Sequence, residues 1–188
     1  YGVKFRFNEQ VKDIHGLDAP IVSTNKEDIP FDKVIICAGV KTQEFRNKFG
    51  DNFRIYPVKG YSITIDLDDE TSRNAAPYVS IKDDNSKIVS SRLGNRLRVA
   101  GTAELAGENK EIRKERITPL VEWVNSCFPE INTDNFITWA GLRPMTSDMV
   151  PIMRESKRKN VFYNSGHGHL GWTMGAFAGK FISDLIED

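Results

Sequence analysis

Arg143 stands in the stretch WAGLRP, with a proline directly after it. Pro144 fixes its own φ and restricts the arginine backbone to extended conformations. Trp139 and Leu142 make the surroundings apolar, so the guanidinium needs an anionic partner. Two readings are open: a structural salt bridge within the chain, or a bidentate clamp on the carboxylate of a substrate. A charged hydrogen bond of this kind contributes about 1.5–3 kcal/mol. The second chemistry-bearing stretch is NSGHGHLGWT, residues 164–173, with three glycines and two histidines in ten residues. It is either a flexible turn or a loop whose bare backbone lies against a ligand. Where such a loop opens a helix, free N–H groups and about half a positive charge would hold an anion or a polarised carbonyl.

An anionic reduced flavin ring is one ligand that fits such a loop, although strand–glycine-loop–helix units serve many purposes. His167 and His169 lie two residues apart, but no third ligand stands near them in the sequence, so a metal site is not expected. Each could act as a general base or hydrogen-bond to backbone. Lys59, in PVKGY, is either a solvated lysine or part of a cofactor edge, and Tyr61 is either core or pocket. No serine or cysteine nucleophile stands in a recognisable catalytic context.

The elements that must position these residues follow from periodicity. Residues 3–7, VKFRF, alternate and predict a strand; another short segment lies around residues 11–14. Residues 34–37 are a continuous apolar run ending in Ala38-Gly39. That predicts a strand buried on both faces of a parallel sheet, with ligands bound at its carboxyl end. Residues 60–67 predict a strand with Ile63, Ile65 and Leu67 on one face. KIVSSRLGNRLRVAG predicts a hairpin turning at Gly94-Asn95, with residues 77–81 as a further strand beside it. Residues 108–115 begin a helical segment, Thr118 and Pro119 read as N-cap and first helical position, and Pro129 ends it.

NFITWAGLRP is extended, residues 161–164 form a short strand, and residues 172–186 form the last helix. There Met174, Phe177, Ala178, Phe181, Ile182 and Leu185 make one apolar face. Gly171, Gly175 and Gly179 recur every four residues. An interior glycine costs up to about 1 kcal/mol relative to alanine, so the stripe predicts something packed close to the helix backbone.

Bulk composition narrows the partners. Among 188 residues, 26 lysines and arginines balance 26 aspartates and glutamates, which gives no hint of nucleic acid as a partner. Cys37 and Cys127 form no metal or disulfide pattern and read as buried small hydrophobes. No apolar run approaches the ~20 residues of a membrane-spanning helix.

The blocks VIICAG, YPVKGYSITI, RLRVAGTAEL, WAGLRPMTSD and NSGHGHLGWTMGAFAGKFISDLI occur in an order that resembles bacterial D-amino-acid dehydrogenase small subunits. These belong to the FAD-dependent group that also holds glycine oxidase, sarcosine oxidase and D-amino-acid oxidase. The resemblance covers nearly the whole chain. It implies oxidation of the Cα–N bond of a D-amino acid, with hydride passed to flavin and electrons onward to a respiratory acceptor. The imine product then hydrolyses to a 2-oxo acid and ammonia. It implies a cytoplasmic location, or peripheral attachment to the inner membrane in the full-length enzyme. Arg143 would bind the substrate carboxylate, and Tyr61 would line the pocket. Gly166, His167, Gly168, His169, Leu170, Gly171, Trp172 and Thr173 would contact the flavin, Ala38 and Gly39 would lie by the FAD, and Val11 would face the adenine.

Departures from the family pattern stand out. Met149 follows Asp148 where the family has glycine, and His169 replaces a threonine. The Gly-x-Gly-x-x-Gly fingerprint of dinucleotide binding is absent, and the chain begins at Tyr1. It is therefore expected to be the C-terminal part of an enzyme, binding FAD weakly and inactive alone. Alternatives are a non-catalytic remnant or partner-dependent half, or a glycine- or sarcosine-oxidase-like amine oxidase. The expected fold is α+β (mixed α/β): an antiparallel-sheet substrate domain at 52–135, and the C-terminal part of a Rossmann-like FAD domain from 1–51 and 136–188. Exposed apolar surface is expected near residues 34–36 and on the last helix.

Overall fold

A computed structural model describes residues 2–16 and 18–187. The chain opens with β1 (Val11–His15), β2 (Ile21–Thr24), β3 (Asp28–Pro30), β4 (Val34–Ile36) and α1 (Thr42–Phe49). It continues through β5 (Tyr56–Asp66), α2 (Glu70–Ala75), β6 (Ile81–Asp83), β7 (Ile88–Leu93), β8 (Arg96–Glu104) and α3 (Lys114–Cys127). It closes with β9 (Phe136–Met145), β10 (Ile152–Glu155), β11 (Val161–Ser165) and α4 (Gly171–Glu187). The fold is mixed α/β with antiparallel sheets, divided into two units: Tyr1–Tyr56 with Pro144–Asp188, and Pro57–Arg143. Residues 136–143, read from sequence as part of the returning segment, lie in the second unit because β9 neighbours β5 in its sheet.

The first unit holds two three-stranded sheets, β1-β2-β3 and β10-β11-β4. β11 pairs antiparallel with β10 and parallel with β4, where Tyr163 stands opposite Ile36. Ile36, Val161, Tyr163, Phe53 and Ile55 bury together beneath α1 residues Phe45 and Phe49. A buried carboxylate must be fully hydrogen-bonded, and Asp51 is: it accepts from Ser156 Oγ (2.5 Å), Tyr163 Oη (2.8 Å) and the Lys157 N–H (2.8 Å).

Several expectations for this unit need correction. Residues 3–7 form no strand: Val3, Phe5 and Phe7 are exposed, and an alternating pattern without a pairing partner does not make a ladder. β4 has the expected parallel neighbour but buries only one face. Ile36 is enclosed, while Ile35 and Cys37 look onto an open cleft, because no element among the described residues fully covers that face of β4. Cys37 and Cys127 are both exposed, the second as the last residue of α3. On α4 only Ala178 and Ile182 are buried, while Phe177 and Phe181 lie open. Of the glycine stripe, Gly171 has a close neighbour, since a Cβ there would lie 3.3 Å from His167 Cβ, whereas one on Gly175 or Gly179 would meet nothing within 4 Å among the described residues.

The second unit is one five-stranded sheet, β6-β7-β8-β5-β9, with α3 on one face. Alternation along β5 sends Tyr61, Ile63 and Ile65 to the helix side, with Leu67 just beyond the strand. There they meet Leu97 and Val99 of β8 and Ile117, Leu120 and Val124 of α3. The hairpin turns at Gly94, whose φ of 63° suits glycine. Two boundaries differ from the sequence reading. Residues 70–75 are helical, capped by Asp69 accepting from the Ser72 N–H, and the strand expected at 77–81 begins only at Ile81. α3 starts at Lys114, so residues 108–113 are not helical and Pro119 sits inside the helix, not at its first position. The Thr118 hydroxyl donates back to the Lys114 carbonyl (3.1 Å) and does not cap.

Candidate active site

β9 places Ile137, Trp139, Gly141 and Arg143 on one face of the second unit's sheet, by simple alternation. Trp139 folds its ring over Gly141, where a Cβ would lie 2.0 Å from the indole. The Arg143 guanidinium lies against Gly60 of β5. A Cβ there would come within 2.3 Å of its Cζ and both terminal nitrogens, so only glycine makes room for it. Arg143 Nη1 donates to the Thr102 carbonyl at 3.0 Å.

Thr102 has a φ of 68°, the left-handed region that disfavours a β-branched residue. The cause is a register shift in the β5–β8 pairing. Lys59 stands opposite Glu104 and Tyr61 opposite Gly101, so Thr102 and Ala103 together face Gly60. This two-against-one arrangement is a β-bulge, and it turns the Thr102 carbonyl toward the arginine.

No carboxylate reaches Arg143 among the described residues. Burial pulls its guanidinium below arginine's ordinary value, yet an arginine stays charged in a protein. The structural salt bridge considered from sequence is therefore not formed. One backbone carbonyl satisfies one of five N–H donors, and a half-buried cation is left without its counter-charge.

Lys59 and Tyr61 lie on the other face, toward α3. Lys59 is not a solvated lysine: it is 0% exposed, with Nζ 3.3 Å from Glu104 Oε2. Tyr61 belongs to the core cluster, and its hydroxyl donates to the same oxygen at 2.5 Å. The structure thus does not bring the Tyr61 side chain to the face that carries Arg143.

In the first unit, the ends of β4 and β11 meet. Parallel pairing sends both strands out at the same edge. There Thr42 Oγ1 donates to Ser165 Oγ (2.9 Å), which donates to the Gly39 carbonyl (3.2 Å). Ala38 and Gly39 are thereby set beside the start of the glycine loop. The loop is a built turn. Gly166 and Gly168 have φ of 78° and 58°. Side chains there would strike Thr146 Cγ2 at 2.9 Å and Met145 Sδ at 2.6 Å. The Gly168 N–H donates to the Pro144 carbonyl (2.9 Å), Met145 and His167 form a β-bridge, and the Leu170 N–H donates to the His167 carbonyl (3.0 Å).

Three buried polar atoms at this loop and its supports, His167 Nε2, Thr146 Oγ1 and Asn164 Oδ1, have no hydrogen-bond partner among the described residues. Native interiors rarely leave such groups unsatisfied. Burial also pushes the His167 imidazole below its ordinary value. His169, Leu170, Trp172 and Thr173 point outward, Trp172 being 99% exposed. Val11 of β1 shares a cleft of about 500 Å³ with Ile14, Val22, Ile35, Cys37 and Ala38.

Sequence reading missed Gly60, Thr102 and Thr146. Gly60 carried a usable signal, since a glycine inside a strand marks a close approach. Thr102 carried none, because a left-handed threonine follows from the pairing register.

The family described as FAD dependent oxidoreductase matches residues 1–185. A protein named D-amino acid dehydrogenase 3 from Mesorhizobium japonicum is 50% identical over 156 residues, 82% of this chain and 38% of that protein. A D-amino acid dehydrogenase from Granulibacter bethesdensis is 39% identical over 192 residues, 99% of this chain and 44% of that protein. Among solved structures, glycine oxidase from Bacillus cereus matches with a TM-score of 0.82 at 25% identity, over 95% of this chain and 50% of that one. The chain spans less than half the length of these curated relatives.

Proposed function

The chain belongs to the family of FAD-dependent oxidoreductases, and on that premise we propose that it supplies the substrate clamp and part of the flavin cradle of a D-amino-acid dehydrogenase. The observation that carries this reading is Arg143, a half-buried cation on a bulge-built seat with no anionic partner among the described residues. Its planar fork matches a carboxylate bidentately. The Trp139 and Ile137 side chains on the same strand face give apolar surface for the rest of a small substrate.

The residues present fit FAD, the family's cofactor. Bare backbone at Gly166 and Gly168 admits a flat ring that side chains would exclude. The unpartnered His167 Nε2, Thr146 Oγ1 and Asn164 Oδ1 suit a polar ring edge, and Ala38 and Gly39 stand beside them. When bound, FAD supplies the hydride acceptor for oxidation of the amine carbon. Arg143 fixes the substrate by its carboxylate, which supplies the positioning such a transfer needs. A His167 kept neutral by burial can hydrogen-bond without adding charge. The released imine hydrolyses to a 2-oxo acid and ammonia, and electrons pass to a respiratory acceptor.

The pyrophosphate-binding segment is assigned to the portion of the relatives that this chain does not span. Val11 and the cleft beside β4 take the adenine side. No helix among the described residues is long and apolar enough to cross a membrane, and a cytoplasmic or membrane-peripheral enzyme belongs to the same proposal. The likeness to glycine oxidase supports a second reading, an oxygen-consuming amine oxidase.

Dye reduction with D-amino acids, set against oxygen consumption with glycine and sarcosine, separates the two readings in the full-length protein. Dye reduction by D-alanine is expected. Oxygen consumption with glycine or sarcosine and no dye reduction by D-amino acids would replace this reading with the second. The 188-residue chain alone is expected to bind FAD weakly and turn nothing over; tight binding with turnover would contradict that division of labour.

A further inference from the structure

We propose that Tyr61, Glu104 and Lys59 act as positioning residues that hold the bulge at Gly60 and Thr102 in the shape that seats Arg143; this rests on Arg143 being the carboxylate receptor. A threonine keeps a φ of 68° only where its surroundings over-determine it. The clamp that does so straddles the bulge. Lys59 and Glu104 pair on one side of the register shift, and Tyr61 pairs with Gly101 on the other.

The Tyr61 hydroxyl crosses the shift diagonally to Glu104 Oε2 at 2.5 Å. Lys59 Nζ lies 3.3 Å from the same oxygen and 5.1 Å from the centre of the Tyr61 ring. Arg113 Nη1 and Arg116 Nε hold Oε1 at 3.0 and 3.7 Å. The Tyr61 hydroxyl first, and then the Lys59 and Arg113 charges, keep the Glu104 carboxyl below the usual carboxylate range.

A fully buried lysine against a glutamate only 7% exposed is a poor device for stability. An apolar pair of similar volume often does as well or better, and fixing register is the best-attested use of such groups. Here the pair sits at the register shift of the β5–β8 pairing, on the sheet face opposite Arg143. Between Lys59 and Tyr61 stands Gly60, which touches the guanidinium, and two residues before Glu104 stands Thr102, which accepts from it. The clamp therefore acts on Arg143 through backbone alone.

The test uses the full-length protein with Tyr61→Phe, the double variant Lys59→Met with Glu104→Gln, and Arg143→Met as reference. Each is assayed with D-alanine and with D-alaninamide, which lacks the carboxylate. Amide hydrogen exchange at Thr102 and Ala103 is followed alongside. Wild type should prefer D-alanine, and Arg143→Met should lose that preference. Tyr61→Phe and the double variant should lower the preference about tenfold through KM, with kcat within about twofold, and should speed exchange at the bulge. A preference and exchange rates equal to wild type in both variants would overturn the proposal. A preference unmoved by Arg143→Met would instead sink the carboxylate reading. Bulge exchange would then still decide the clamp: faster exchange upholds it and unchanged exchange overturns it.

Discussion

The two units spend their apolar residues differently. In Pro57–Arg143, α3 covers the sheet and the main core cluster holds Ile63, Ile65, Leu97, Val99, Leu120 and Val124, each at most 1% exposed. In the other unit, the main cluster is smaller, and Phe31, Ile35, Trp172, Phe177 and Phe181 stay exposed. Arg143, proposed as the carboxylate receptor, is thus built into the unit with the larger core, where a strained residue such as Thr102 can be held. The glycine loop belongs to the unit with the smaller core, and it keeps its shape by backbone hydrogen bonds and tight glycines. Strain needs a rigid frame, whereas a loop that meets a ligand with its backbone needs only a defined turn.

The largest expected effect tests this contrast directly. Leu120→Ala should destabilise the second unit by about 2–5 kcal/mol, whereas Phe177→Ala should cost under about 0.5 kcal/mol, as an exposed substitution does. Denaturant unfolding read by hydrogen exchange, unit by unit, would show both. Equal losses would erase the distinction.

Gly60→Ala should displace the Arg143 guanidinium and forfeit about 1.5–3 kcal/mol of carboxylate binding, raising KM for D-alanine while the melting temperature barely moves. An unchanged KM would mean that the arginine finds an equivalent position.

A smaller effect concerns pH. Burial depresses His167, so the folded state resists a proton that an unfolded histidine takes up near pH 6.5. The stability linked to His167 is present above about pH 6.5 and is lost as pH falls toward the folded value. His167→Asn should flatten that part of the stability profile between about pH 6.5 and the depressed value, and an unaltered profile would remove His167 as its source.

The smallest effect lies at Met149, which holds a φ of 63°, a conformation that suits glycine better. Met149→Gly relieves about 1–2 kcal/mol of left-handed strain against about 0.5–1 kcal/mol of added chain entropy. A net gain of about 0–1.5 kcal/mol should appear as an unchanged or slightly higher denaturant midpoint, and a clearly lower midpoint would mean that the left-handed methionine carries no strain.

Much of this was legible in the residues. Period-two patterns gave β5, β7 and β8, the glycine turn gave the hairpin, and the apolar run before Ala38-Gly39 gave a parallel strand. Arg143 stood out because a cation among apolar neighbours needs a partner. Other features depend on what touches what. VKFRF has the alternation of a strand but no partner to pair with. Tyr61 could not be divided between core and pocket until the packing of α3 showed which face of β5 is covered. The seat for Arg143 exists only once Lys59 and Glu104 are in register, and no local pattern announces that.

The most direct measurement follows flavin absorbance anaerobically in the full-length protein, wild type and Arg143→Met, as D-alanine is added. The account predicts bleaching at low D-alanine in wild type, and in the variant a requirement for roughly 10–100-fold more, as the loss of one charged clamp implies. Equal bleaching of both proteins, or none in wild type, would contradict Arg143 as the receptor of a D-amino acid's carboxylate.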